Sequence, residues 1–172
     1  MTFTFYLIVI ILSIIFQNTV GDFLAFFFVG KPDTFLIVAI FFALSDEKYT
    51  AVISGFVLGI LKDVLSGGIL GINALSKTIS AFAIGKIQSN YAKKDFLSIL
   101  ILCSIFSIID KFITTLFFFF IMPTESITNV FFLETVSSAV QNAFLGPLII
   151  SFLFKCQTKF VQKRKEINYP RR

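Results

Sequence analysis

A chain of 172 residues, 56% apolar, 15% charged and carrying a net charge of +5, has too little charge to cover a water-soluble domain and too many apolar residues to be disordered. Its mean hydropathy of +0.90 fits a membrane protein. Six helical crossings would take roughly 120 residues and leave about 50 for loops and tails. The apolar residues come in unbroken blocks and do not alternate with polar ones, which argues against a transmembrane β-barrel.

The first block, about residues 3–20, has no Lys or Arg ahead of it and no small-residue cleavage pattern after it. It reads as a retained helix and not a cleaved signal. The stretch Phe23–Val29 is too short to cross and ends in Gly30, Lys31, Pro32 and Asp33. Pro32 in a first helical turn and Asp33 at the positive end of the dipole predict a helix over 33–45. At about 20 Å this helix is shorter than the hydrocarbon core, so either the bilayer thins around it or protein covers its ends.

Asp46, Glu47 and Lys48 interrupt the apolar run, and a helix over 49–65 follows. Ser66, Gly67, Gly68, Gly71 and Asn73 make a polar, glycine-rich reversal where positive φ is permitted. No phosphate-binding loop is present, since the Lys-Ser/Thr ending and a preceding strand are missing. Helices are then expected over 70–87, 96–122 (stopped by Pro123) and 127–154, with a loop marked by Lys86, Lys93, Lys94 and Asp95. The expected fold is all-α, a polytopic membrane protein with six transmembrane helices in one bundle spanning 1–154, followed by a basic cytoplasmic tail over 155–172.

Orientation follows from the cations. With both termini cytoplasmic, the inner side holds Lys48, Lys86, Lys93, Lys94 and seven basic residues from Lys155 to Arg172, against Lys31 and Lys62 outside. This is a strong positive-inside bias. The tail also suits anionic lipid surfaces, and nothing in it resembles a folded nucleic-acid-binding face.

Gly55, Gly59 and Asp63, four residues apart, share one helix face that allows close approach of another helix, within the chain or from a partner. Asp63 is either a solvated helix-end charge or an acceptor for backbone amides of the Ser66–Gly68 turn. Lys77, Asp110, Lys111 and Glu134 lie inside predicted helices and call for a neutralised cluster, with Lys77 to Glu134 or Asp110 as the first pair. Gln141 and Asn142 would extend this polar interior. The cluster serves either as an ion or substrate pathway or as a set of pairs that fix helix register.

Catalytic chemistry finds few residues to use. His is absent, so His-based zinc sites and Ser/His/Asp or Cys/His arrangements cannot form. Cys103 and Cys156 have neither disulfide nor metal spacing and read as reduced packing residues. Nothing arranges a nucleophile beside Asp110 or Glu134, and no cofactor is expected.

The segment from Pro32-Asp33 through Gly55-Phe-Val-Leu-Gly59-Ile-Leu-Lys-Asp63-Val-Leu-Ser-Gly-Gly-Ile-Leu-Gly71-Ile-Asn73 resembles the MreD family of bacterial rod-shape-determining membrane proteins. Lys62 before Asp63 departs from the more usual apolar or polar neighbour. The resemblance implies a non-enzymatic scaffold of the cell-elongation machinery in the bacterial cytoplasmic membrane, working in sidewall peptidoglycan synthesis. It would bind MreC directly and, through it, join MreB, RodA and a penicillin-binding transpeptidase. The family is similar in architecture to substrate-binding subunits of energy-coupling-factor vitamin transporters, which supplies a rival function. Those subunits carry small residues in the first helix for docking to a coupling protein, whereas residues 3–20 contain no Ala or Gly.

Overall fold

The structure is a computed structural model that describes residues 3–27, 30–45, 48–88, 95–121 and 128–168. Six helices make up the described chain: α1 Phe3–Phe27, α2 Thr34–Ser45, α3 Lys48–Ser66, α4 Ile72–Gln88, α5 Phe96–Ile121 and α6 Thr128–Asn168. Four of them contain stretches long and apolar enough to cross a membrane: Thr4–Gly21, Tyr49–Ser66, Phe96–Ile121 and Leu133–Phe160. α2 is shorter, and α4 has 17 residues. The expected breaks at Asp46, Glu47, Lys93 and Lys94, the stop at Pro123, the start at Ile127 and the last four residues lie outside the described residues.

The short α2 is the pillar of the bundle. Every residue from Thr34 to Leu44 is buried, and the helix touches all five others. A helix that is apolar all round must be enclosed, and here protein encloses it in place of lipid. Its brevity therefore needs no thinning of the bilayer along its length. Phe41 lies against Phe5, Phe42 and Phe154, with ring centroids 5.1 to 6.4 Å apart, so aromatic packing joins α1, α2 and α6.

Two boundaries differ from the sequence expectation. α1 continues past residue 20 through Gly21 to Phe27, taking up most of the stretch read as a separate short segment. An interior glycine costs a helix only about 1 kcal/mol, too little to end one with apolar residues on both sides. α6 does not stop at 154 but continues as helix to Asn168 through the basic segment. Lys, Gln, Arg and Glu are good helix formers, and Phe160 packs on Phe5 at 5.7 Å, tying this extension to the start of α1. At 41 residues α6 measures about 60 Å, roughly twice the hydrocarbon thickness, so it must extend well beyond the lipid.

α3 and α4 form the most extensive helix pair. A Cβ added to Gly55 would fall 2.7 Å from the Lys77 carbonyl oxygen, and one added to Gly59 would fall 2.3 Å from Ala74 Cα. The glycine face thus lies against α4 and is not open to a partner helix. Gly146 of α6 approaches Cys103 of α5 in the same way, an added Cβ meeting Sγ at 2.5 Å. Both cysteines are free, and Cys103 is buried in this contact.

A buried charge cluster at the start of α2

Burying α2 leaves its first amides out of reach of water, and the sequence supplies side chains to meet them. Asp33 is the N-cap: its Oδ1 accepts from Leu36 N at 3.1 Å, and its own carbonyl begins the intrahelical ladder with Ile37 N. Pro32 thus stands just before the cap, two places ahead of the first helical position, Thr34, and not inside the first turn as expected. Asp33 N donates to Asn142 Oδ1 of α6 at 2.9 Å, and Thr34 N donates to Gln17 Oε1 of α1 at 2.8 Å. Gln17 Nε2 donates to the Pro32 carbonyl, and Gln141 Nε2 donates to the Gly30 carbonyl. Asn142 Nδ2 also reaches Ser107 Oγ of α5 at 2.8 Å. Side chains from α1 and α6 therefore hold one helix end.

The carboxylate of Asp33 is 5% exposed and faces two ammonium groups. Lys77 Nζ donates to its Oδ2 at 2.9 Å, and Lys62 Nζ donates to the same oxygen. Lys77 is wholly buried and also donates to Asp110 Oδ1 at 3.3 Å, with Asn73 Oδ1 a long third contact at 3.5 Å. Ser76 donates to Asp110 Oδ1 at 2.7 Å. Two carboxylates meet two ammonium groups, so the cluster is neutral. Isolated buried charges would cost several kcal/mol each, and neutrality with nearly complete hydrogen bonding is the arrangement that tolerates them.

The sequence reading grouped Lys77, Asp110, Lys111 and Glu134. The structure brings Lys77 to Asp110 but adds Asp33 and Lys62, and it does not pair Lys77 with Glu134. Glu134 lies beside Gly30, whose φ of 96° lets the chain pass close to the Glu134 backbone. Lys62 belongs to α3 and not to an outer loop, so its ammonium serves the cluster. Asp33 was legible as a helix start and its burial was not. Gln17 could have been noticed as a lone amide in an apolar block, whereas nothing local marks Ser76 or Ser107.

Asp63 caps α4 from a distance. It is 1% exposed, and its carboxylate accepts from Gly71 N, Asn73 N, Ala74 N and Asn73 Nδ2 at 2.8 to 3.2 Å. These are the amides at the start of α4, where Gly71 has no side chain to cap them, and they lie beyond the Ser66–Gly68 turn where its donors were expected. Gly67, with φ 63°, ends α3, and Gly71, with φ 103°, turns the chain into α4. Gly68 takes no such conformation. Asp63→Ala is expected to cost about 1–3 kcal/mol, because several buried donors lose a charged acceptor. Asp63→Asn should cost less. Hydrogen exchange at the amides of residues 71, 73 and 74 would report it, and unchanged protection in Asp63→Ala would contradict the cap.

Among the described residues no group of three or more Cys, Asp or Glu side chains could hold a metal ion. The arrangement bonds helices to one another. It joins α2, α3, α4 and α5 through charge, and α1 and α6 through amides.

A family profile described as "rod shape-determining protein MreD" matches residues 1–156. No curated protein and no solved structure matches the chain.

Proposed function

The chain belongs to the MreD family of rod shape-determining membrane proteins, and from that membership we propose that it is a non-catalytic scaffold of the cell-elongation machinery that binds MreC. The reading extends to MreB, RodA and a penicillin-binding transpeptidase as members of the same assembly. It also takes all six helices as spans of the bacterial cytoplasmic membrane, with both termini on the cytoplasmic side. α2 then crosses inside a jacket formed by its neighbours, while α4 keeps one apolar face, with Leu75, Ile79 and Phe82, turned outward.

The observation that carries this reading, beside the family match, is where the buried charges go. Lys77, Asp33, Asp110 and Lys62 are engaged in bonds between helices, and large apolar side chains face outward along each of the long helices. Leu7, Ile8, Ile11, Leu12 and Ile15 form such a side on α1. A body held rigid from within and apolar outside is suited to recognising other helices by packing.

The test is affinity purification of the full chain from gently solubilised membranes. MreC is expected to copurify in near-equal amount. Tight vitamin binding by the purified protein, with no MreC recovered, would favour the transporter-subunit reading instead.

A further inference from the structure

The end of the bundle at which α1 finishes and α2 begins holds a cavity of about 470 Å³, within the range of about 300–1,000 Å³ typical of small-ligand sites. Its walls include Asn18 of α1, Phe35 of α2, Lys62 and Leu65 of α3, Lys111 of α5 and Glu134 of α6. Beneath them lies the neutral cluster, in which Lys62 and Lys77 balance Asp33 and Asp110. Outside the cluster the charged lining consists of Lys31, which is exposed, and of Lys111 and Glu134, one of each sign. Both are half-buried, and among the described residues neither has an ion-pair partner. The Lys62 ammonium makes a single bond, to Asp33, of the three it can donate.

Half-buried charges of both signs around one cavity complement a ligand that itself carries both signs. We infer that this cavity is a binding site for a small zwitterionic head group, with a phosphate anion held by Lys62 and Lys111 and a primary ammonium held by Glu134. A phosphodiester offers two free oxygens for two ammonium donors, and a primary ammonium offers N–H donors to a carboxylate. Leu65, an exposed side chain at the cavity wall, offers apolar surface suited to the adjoining carbon chain. Phosphatidylethanolamine in the surrounding leaflet and a soluble glycerophosphoethanolamine share this chemistry.

The experiment uses the full-length protein in nanodiscs. Native mass spectrometry compares retention of phosphatidylethanolamine with that of phosphatidylcholine, whose ammonium has no N–H, and saturation-transfer NMR follows glycerophosphoethanolamine added to delipidated protein in maltoside. Phosphatidylethanolamine is expected to be preferred about tenfold, the worth of one charge-assisted bond. Lys111→Ala should weaken retention about tenfold while Lys111→Arg keeps most of it, and Glu134→Gln should abolish the preference over phosphatidylcholine. Binding of glycerophosphoethanolamine as tight as that of the lipid assigns the site to a soluble ligand, and binding of the lipid alone assigns it to the membrane. Failure of both to bind, or retention unchanged in the folded Lys111→Ala and Glu134→Gln variants, overturns the inference. MreC copurification is a separate readout, so the scaffold reading can stand or fall independently.

Discussion

Replacing Asp33 by Ala is expected to destabilise the bundle by about 3–5 kcal/mol, the usual cost of leaving a buried charge without its counter-ion. The substitution strips Lys77 of its 2.9 Å partner, leaves Asp110 alone to face two lysines and uncaps α2. Unfolding by denaturant in mixed micelles, followed by far-UV circular dichroism, would measure the loss. Lys62→Met should cost less, because the Lys62 side chain is 22% exposed and water can take up part of the change. The double variant Asp33→Ala with Lys62→Met restores neutrality around Lys77 and Asp110. It should therefore recover part of the loss, leaving mainly the missing cap. Strictly additive losses would show that the four charges do not act as one unit.

Gly59→Val is the second large effect. Its Cβ would fall 2.3 Å from Ala74 Cα and 2.5 Å from the Asn73 carbonyl oxygen, and both are backbone atoms that cannot rotate aside. α3 and α4 must separate, at a cost of about 1–3 kcal/mol for the first methyl and more for the branched side chain. The same shift draws Asn73 and Ala74 away from Asp63, whose carboxylate holds their amides. Gly59→Ala and Asp63→Ala should therefore combine to less than the sum of their separate costs. Gly68→Ala serves as a control: the nearest atom, Ser66 Oγ, is 3.4 Å from its added Cβ, and the change should stay within about 0.5 kcal/mol. Equal stability of the Gly59→Val and Gly68→Ala variants would contradict the close approach of the two helices.

Much of the helix layout is legible in the letters because apolar blocks, Pro32-Asp33 and the glycine-rich reversal at 66–71 act locally. The turn residues are where the positive φ angles occur, at Gly67 and Gly71. The ends of α1 and α6 are less legible. There a glycine and a basic run interrupt the hydropathy without interrupting the backbone hydrogen bonds.

The chain's own order of residues is enough to establish an all-helical membrane protein with charges inside its helices, since lipid admits few other backbones and few unpaired charges. Which charges meet was decided only by the tertiary structure. Lys77 and Asp33 are 44 positions apart, and Asp33 and Asn142 are 109 apart. No periodicity along a helix connects such residues, because their distance is set by how α2 is enclosed by its neighbours. Burial of that one helix turns a cap, a helix-end lysine and two amides into a single polar core.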